Sequence, residues 1–259
     1  MSRPDGVTRL AIPDAGPLFE GHFPGRPILP GILLLHLALR EAPLAGIEML
    51  RFRRLVLPGE RLEVHRGGGD RPDRASLAVR RGDERVAEAV LRLAPAVPPL
   101  TESMPPEADR PEDLRDGAAP DRLLPHGPPA CFIEAIRSVS GDGVVCTARV
   151  PGTHPLSAGG PAPALVAIEM AAQAAGVFEA RRHARTAVGR EPGPRLGYLV
   201  GARGVRFARG TIAKEAACAA SIRLVGVAGP LTSYDFEVRC GGEPFAAGRV
   251  STWLTATAS

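Results

Sequence analysis

The fold is decided by residues 21–42, which read GHFPGRPILPGILLLHLALREA. The first part of this stretch holds His22 among prolines and glycines, a composition that is typical of a loop. From about Gly31 to Ala42 the stretch is almost wholly apolar, which predicts a helix. A helix that is apolar on nearly all sides must be enclosed by other elements rather than laid on a surface. We therefore expect a sheet that wraps this helix.

The second half of the chain repeats this order of elements. A strand pair leads to a histidine-containing loop at residues 154–163, an apolar helix follows at about 164–182, and strand-like segments follow the helix in both halves. Such self-similarity indicates two copies of one structural unit.

One helix enclosed by a curved antiparallel sheet is the hot-dog arrangement. The repeat therefore predicts an α+β protein with a double hot-dog fold, in which two antiparallel sheets each wrap a long central helix. Two such units can pair their sheets edge to edge and so cover exposed edge strands.

A segment without hydrophobic periodicity separates the two halves. Residues 94–121 read APAVPPLTESMPPEADRPEDLRDGAAPD, and this abundance of proline and acidic residues indicates a linker. About 25 residues of flexible chain reach on the order of 25 to 30 Å, enough to cross from one domain to its neighbour. We expect an N-terminal domain at 1–95, a linker at 96–121 and a C-terminal domain at 122–259.

The composition argues against several classes of protein. Hydrophobic residues make up 44% and charged residues 23% of the chain, a balance that supports a packed core and not a disordered chain. No run approaches the roughly 18 apolar residues that span a bilayer, and the N-terminus lacks the apolar segment of a signal peptide. We expect a cytoplasmic protein without membrane contact. The four cysteines show no CxxC pairing, so neither a metal site nor a disulfide framework is expected.

The formal net charge of +4, carried by Arg far more than Lys, favours an acidic partner. No nucleic-acid recognition motif accompanies the arginines, so we expect no nucleic acid, and an acidic carrier protein fits the same charge. In two stretches the arginines alternate as strand residues do: Arg51, Arg53 and Arg54, and Arg203, Arg206 and Arg209. They form either an ordinary solvated sheet face or a docking surface for the phosphates and carboxylates of a carrier protein.

The loop GHFPGRPILPG at residues 21–31 closely resembles the signature loop of the 3-hydroxyacyl-carrier-protein dehydratases of fatty-acid synthesis. The segment FRRLVLPGERLEV at residues 52–64 is similar to that family's strand after the helix. More narrowly, the first half resembles the small dehydratase subunit of aryl-polyene pigment clusters.

The second half resembles the partner subunit from the same clusters. The likeness rests on LLPH at 123–126, HPL at 154–156, the glycine pair at 159–160, PA at 163–164, IEMAAQ at 168–173 and LGYLVGARGVRFARG at 196–210. The two likenesses cover nearly everything except the linker, which implies a fusion of two normally separate subunits.

The resemblance implies a catalytic pair made of a loop histidine and an acidic residue on the central helix, fourteen positions later, contributed across a dimer interface. His22 fits the histidine, but His36 stands where the acid belongs. In the second half Glu169 fits the acid, fifteen positions after His154. We therefore expect one competent site, where His22 meets Glu169, and one degenerate site, where His154 meets His36.

The elimination of water needs a base, an acid and a donor to the thioester oxygen. A neutral imidazole at His22 can remove the proton on carbon 2. The start of the first helix at Gly31 leaves N–H groups free for the thioester oxygen, with Ala164 as its degenerate counterpart. Burial raises the pKa of a helix carboxyl, which suits Glu169 as the acid that assists the departing hydroxyl. Gln173, one turn further on, either orients Glu169 or makes an ordinary interhelical hydrogen bond.

Structural roles compete with these assignments. An isolated loop histidine is usually without function, but the long motif around His22 favours catalysis. His36 lies among leucines and is better explained as a buried histidine that a neighbour satisfies, while for His154 the two interpretations are evenly balanced. The other histidines have no partner pattern and are expected to be structural or solvated: His65, His126 and His183.

The leading hypothesis is a 3-hydroxyacyl-[acyl-carrier-protein] dehydratase that forms a trans-2-enoyl thioester. The resemblance implies a substrate carried on the phosphopantetheine of acyl carrier protein and no further cofactor. It also implies an internal pseudo-dimer, which can associate further into a homo-oligomer. Two alternatives stay open: a hot-dog acyl thioesterase, which would not need the loop at 21–31, and a non-catalytic scaffold that binds carrier protein.

Overall fold

The computed structural model describes residues 6–39, 44–69, 71–93, 120–186 and 197–255. The first half contains β1 (Gly6–Ala11), a 3-10 turn (Pro17–Phe19), α1 (Gly31–Leu39), β2 (Leu44–Phe52), β3 (Arg61–Gly68), β4 (Arg74–Arg81) and β5 (Glu84–Leu93). The second half contains a 3-10 turn (Pro120–Arg122), β6 (Ile133–Val139), β7 (Gly143–Ala148), β8 (Ala162–Pro163) and α2 (Val166–Thr186). It ends with β9 (Gly197–Phe207), β10 (Thr211–Ile212), β11 (Cys218–Ala228), β12 (Leu231–Cys240) and β13 (Glu243–Leu254).

Eleven of these strands form one antiparallel sheet, in the order β1, β3, β4, β5, β2, β9, β13, β12, β11, β7, β6. The short strands β8 and β10 pair separately. The strand that follows the long helix of each half lies at the junction: β2 in the first half and β9 in the second. Beside it lies the last strand of the same half, which is β5 in the first half and β13 in the second. The two halves therefore have the same winding, as expected of a repeat.

The two expected sheets are joined edge to edge by the pairing of β2 with β9, so they form one continuous sheet. Glycines permit this close approach. A Cβ on Gly46 would lie 2.6 Å from the carbonyl oxygen of Val205, and a Cβ on Gly201 would lie 2.6 Å from that of Leu50. The pairing satisfies backbone groups that two separate sheets would leave exposed at their edges.

Both helices lie in one hydrophobic core. α1 buries most of its side chains: Ile32, Leu33, Leu34, Leu35, Ala38 and Leu39. α2 packs against six strands, β6, β7, β9, β11, β12 and β13, and the two helices also touch each other. The predicted helix at 31–42 is described as far as Leu39, since 40–43 lie outside the described residues. The helix predicted at 164–182 begins at Val166 and continues to Thr186.

Other expectations concern what connects and surrounds the two halves. Most of the predicted linker, residues 96–119, lies outside the described residues, and its last two positions belong to the turn at Pro120–Arg122.

All four cysteines are free thiols. In the described ranges, no helix combines the length and apolar character needed to cross a membrane, and no group of three or more His, Cys, Asp or Glu side chains is arranged to hold a metal ion.

The two arginine stretches differ in their surroundings. Arg53 and Arg54 are engaged within the first half: each donates to a carboxylate at 2.5 Å, Arg53 to Glu88 and Arg54 to Glu84. The arginines of β9 are exposed beside buried apolar residues of the same strand: Arg203 and Arg206. Arg203 and Arg206 therefore lie on the solvated face of the sheet, whereas β2 ends before Arg53 and Arg54, and β9 ends before Arg209.

Candidate active site

The loop at residues 21–31 lies against a segment of the second half. His22 and His126 form an isolated antiparallel bridge, and the N–H of Gly127 donates to the carbonyl oxygen of Gly21 at 2.8 Å. Gly21 has a φ of +72°, and a Cβ there would lie 2.1 Å from the carbonyl oxygen of Gly127. The glycine that opens the motif is therefore required by the contact between the two halves.

Phe23 holds the loop in a strained conformation. Its φ of 56° lies in the left-handed region, which costs a bulky residue about 1 to 3 kcal/mol. Its ring packs against three other rings, with centroid distances of 4.3 Å to His22, 5.3 Å to His126 and 5.5 Å to Tyr198. This aromatic cluster offsets the strain and fixes the position of His22.

His22 presents an unprotonated nitrogen at pH 7. Its Nδ1 lies 2.8 Å from the carbonyl oxygen of Ile28, and because a carbonyl can only accept, Nδ1 carries the hydrogen and Nε2 does not. Burial lowers the pKa of His22 to about 4, although the hydrogen bond to Ile28 acts in the opposite direction. The ring is therefore a neutral base whose orientation is set by the backbone.

Glu169, in the first turn of α2, is buried, which raises the pKa of its carboxyl, while a hydrogen bond from Gln173 opposes that rise. Gln173 Nε2 donates to Glu169 Oε1 at 3.1 Å and to the carbonyl oxygen of Ala130 at 2.8 Å. The Oε1 of Gln173 accepts the N–H of Phe132 at 2.8 Å. Gln173 is thus held by the backbone at 130–132 and in turn fixes one oxygen of Glu169.

These groups line one cavity of about 320 Å³, to which both halves contribute: His22, Gly31, Glu169 and Gln173. Its other walls are largely apolar, with side chains such as Ile28, Leu34, Phe52, Val56 and Leu124. The cavity follows one face of α2 from Glu169 through Gly176 and Ala180 to His183. At about 1.5 Å per residue this face is roughly 21 Å long, so the cavity suits an elongated apolar ligand.

Gly31 brings the start of α1 to this cavity. It is the first residue of the helix, where N–H groups have no intrahelical partner. A Cβ at this position would lie 2.8 Å from the ring of Phe52. A glycine therefore keeps the helix start close to the cavity wall, where a free N–H is suited to a ligand oxygen.

Comparison with known protein families adds to this geometry. Residues 118–258, more than half of the chain, match the model of the ApeP-like proteins, described as ApeP dehydratase. The chain belongs to the ApeP-like dehydratases. Residues 3–88 match the model of the ApeI-like proteins, described as ApeI dehydratase. This ApeP-like dehydratase is therefore a fusion of two dehydratase units, which confirms the resemblance found in the sequence.

Curated relatives match parts of the ApeP-like chain. One is the 3-hydroxyacyl-[acyl-carrier-protein] dehydratase FabZ of Symbiobacterium thermophilum, 40% identical over 117 residues, covering 36% of this chain and 75% of the relative. The FabZ of Mannheimia succiniciproducens is 44% identical over 64 residues, covering 18% of this chain. The chain spans only 43% of the length of that second relative.

Two solved structures share the fold over nearly the whole chain. The dehydratase domain of the polyketide PpsC from Mycobacterium tuberculosis has a TM-score of 0.68 at 19% identity, covering 99% of this chain and 97% of that one. A trans-AT PKS dehydratase domain from Brevibacillus brevis has a TM-score of 0.68 at 15% identity, covering 97% and 94%. The ApeP-like dehydratase thus has the hot-dog dehydratase fold, dominated by a large antiparallel sheet with few helices.

The residues of the expected degenerate site do not line the cavity of the ApeP-like dehydratase: His36, His154 and Ala164. His36 is half-buried on α1, whereas His154 is 4% exposed, accepts the N–H of Leu156 at 3.2 Å and packs its ring 4.9 Å from that of Phe132. Among the described residues, no hydrogen bond or ring contact joins His154 to His36. Burial, and then the charge of a protonated His22, lower the pKa of His154 to about 4.

His126, which was expected to be structural or solvated, lines the cavity. Its Nε2 lies 3.6 Å from Glu169 Oε1, and its ring centroid lies 5.3 Å from that of His22. A signal was present in the sequence, since LPHGPP at 124–129 also places a histidine among prolines and glycine, like the loop at 21–31. His183 lines the cavity too, further along α2.

Proposed function

We propose that this fused dehydratase removes water from a 3-hydroxyacyl thioester carried on acyl carrier protein and forms the trans-2-enoyl thioester. The reaction would serve fatty-acid, polyene or polyketide-type synthesis. The observation that carries the proposal is that His22 of the first half and Glu169 of the second half line a single cavity. The family matches, and the names of the FabZ relatives, support the same chemistry.

The proposed mechanism assigns each proton to a named atom. His22 Nε2 removes the proton from carbon 2, and the electron pair of that bond forms the double bond to carbon 3. The bond from carbon 3 to oxygen breaks, and the departing hydroxyl takes the proton of the Glu169 carboxyl and leaves as water. The N–H of Gly31 stabilises the negative charge that builds on the thioester oxygen, while Gln173 holds Glu169 in place. Transfer of a proton from His22 back to Glu169 restores the enzyme.

We propose a double hot-dog architecture for this chemistry, with domains at 1–95 and 122–259 that form an internal pseudo-dimer joined by the linker at 96–121. The same winding in both halves of the sheet supports this division. Elimination of water is redox-neutral, so the proposal includes no cofactor beyond the phosphopantetheine that carries the substrate. The exposed arginines of β9, Arg203 and Arg206, are candidates for carrier docking.

The proposal is tested by incubating the chain with a 3-hydroxyacyl thioester of acyl carrier protein. Mass spectrometry of the acyl carrier protein is expected to show loss of water, and the thioester remains intact. A thioesterase would instead release free carrier thiol, and a non-catalytic scaffold would leave the substrate unchanged. Either of those results, obtained with folded protein, overturns the proposal.

The pH dependence of kcat/KM is expected to be bell-shaped. His22 acts in its neutral form, so activity appears as the pH rises through its pKa of about 4. Glu169 acts in its protonated form, so activity is lost as the pH rises through its pKa, which burial raises. A rate that climbs steadily into alkaline solution would contradict this assignment.

Gln173→Leu serves as a control because it removes a donor that lowers the pKa of Glu169. The loss of kcat/KM at alkaline pH is therefore expected to move to higher pH in this variant.

The cavity along α2 predicts a dependence on acyl chain length. Ala180 lines the cavity about three turns beyond Glu169, so Ala180→Phe would fill the space that a long acyl chain occupies. We expect kcat/KM to fall by about tenfold or more for a long-chain substrate and to change little for a short-chain one. Ala180→Ser is the matched control and should keep both rates. An equal loss for long and short chains would show that the acyl chain does not follow α2.

A further inference from the structure

Among the residues that the structure describes, the buried imidazole of His126 finds no hydrogen-bond partner. Its side chain is 9% exposed, its Nδ1 is buried and has no partner, and its Nε2 lies 3.6 Å from Glu169 Oε1, beyond hydrogen-bond length. Buried polar groups in proteins nearly always have a partner. The imidazole of His126 lacks a partner in the wall of the cavity, and this indicates a contact that forms only when a ligand is bound.

The surroundings of His126 leave its ring little freedom. Its backbone is fixed by the bridge to His22, and its ring lies beside the rings of His22 and Phe23. The titratable side chains next to it are therefore His22, from the first half, and Glu169, on α2. The polar contact that the structure shows for the ring joins His126 Nε2 to Glu169 Oε1.

The contact involves one oxygen of Glu169 in particular. Gln173 Nε2 donates to Oε1, and His126 Nε2 approaches the same oxygen. A carboxyl oxygen that accepts two N–H groups is disfavoured as the site of the proton, so the proton resides on the other oxygen. If His126 Nε2–H also donates to Oε1, Oε2 is the atom that carries the acidic hydrogen.

We propose that His126 is a positioning residue for the acid of the reaction: its Nε2–H closes on Glu169 Oε1 when substrate binds and, together with Gln173, presents the Oε2–H of Glu169 to the departing hydroxyl. The inference rests on the dehydration proposed above. Hydrogen bonds in active sites are often long before substrate binds and shorten in the complex. His126 and Glu169 both belong to the second half, so that half would supply the acid together with the residue that positions it.

A neutral ring is what this role requires. Burial, and then the charge of a protonated His22, lower the pKa of His126 to about 3, so its ring is uncharged at pH 7. A cationic imidazolium next to Glu169 would favour the carboxylate and remove the proton that the reaction needs. A neutral N–H donor orients the carboxyl with a much weaker effect on its ionisation.

Two substitutions separate the donor from the ring. His126→Phe keeps a ring of similar size without an N–H, and His126→Gln keeps an N–H donor near the position of Nε2. We expect kcat of the Phe variant to fall about tenfold to a hundredfold with KM within about twofold, and the Gln variant to recover most of the loss. A Phe variant with wild-type kcat, or equal losses in both variants, would show that His126 only maintains the structure.

A second readout needs no turnover. With ¹³C-labelled glutamate, the carboxyl signal of Glu169 is assigned by its absence in Glu169→Gln and is titrated by NMR with a saturated acyl pantetheine bound, which occupies the cavity but cannot lose water. Loss of the donor is expected to move the titration to higher pH in His126→Phe, and His126→Gln should titrate near the wild type. A wild-type chain that fails to dehydrate overturns the proposed function. Normal turnover with the same Glu169 titration in all three proteins overturns only the role of His126.

Discussion

Replacing His22 by alanine is expected to lower kcat for dehydration by about a thousandfold, whereas His154→Ala should leave most of the activity. The two histidines occupy corresponding loops of the two halves, but their surroundings differ. His22 lines the cavity and has its Nδ1 fixed by Ile28, so that Nε2 is available as a base. His154 lies outside the cavity lining, and its Nδ1 accepts the N–H of Leu156.

The measurement is the steady-state rate of enoyl product formation by both variants with the same 3-hydroxyacyl thioester. Because His154 is buried against Phe132, its replacement can also lower stability, and rates are therefore compared per folded molecule, with circular dichroism as the check. Equal losses in the two variants would mean that His154 takes part in the reaction. A His22→Ala variant that keeps a tenth of the rate would remove the base from the mechanism.

The local parts of this site could be predicted from the sequence, because they depend on short-range patterns. The long motif around His22 predicts the loop that holds this histidine. The apolar residues on either side of Glu169 predict a buried carboxyl, which favours a functional role. The spacing of four residues places Gln173 one turn from Glu169, and the structure shows the hydrogen bond between them. Helical periodicity and motif length carry this information without any knowledge of the tertiary structure.

The remaining features depend on contacts between the halves, which short patterns do not encode. The single sheet follows from the pairing of β2 with β9, and the close approach at Gly46 and Gly201 can be interpreted only when the strand register is known. The role of His126 depends on a bridge to His22, across 104 positions of sequence. The expected pairing of His154 with His36 in a degenerate site extended the pairing of His22 with Glu169 to the opposite halves, and such a contact between distant segments cannot be read from short patterns.

Glu169→Gln is expected to lower kcat by about a hundredfold to ten-thousandfold, because glutamine keeps the shape of the side chain but cannot protonate the departing hydroxyl. The matched control is Glu179→Gln, which replaces another buried carboxylate that lines the same cavity on the same helix, ten residues further on. We expect the control to keep kcat within about tenfold of the wild type. Comparable losses in the two variants would point to a general requirement for buried carboxyl groups rather than to an acid at Glu169.

Mixing the two inactive full-length variants, His22→Ala and Glu169→Gln, should not restore activity. His22 and Glu169 of one chain line one cavity, so each mixed chain would still lack one of the two groups, and no exchange of chains can supply it. The double variant should be little slower than the slower single variant, since groups that act as a unit are not additive. Recovery of about a quarter or more of the wild-type rate in the mixture would instead show a site shared between chains, as expected if the halves of different molecules pair. Size-exclusion chromatography of the mixture then identifies the oligomer, and failure to recover activity at any ratio of the two variants supports a site completed within one chain.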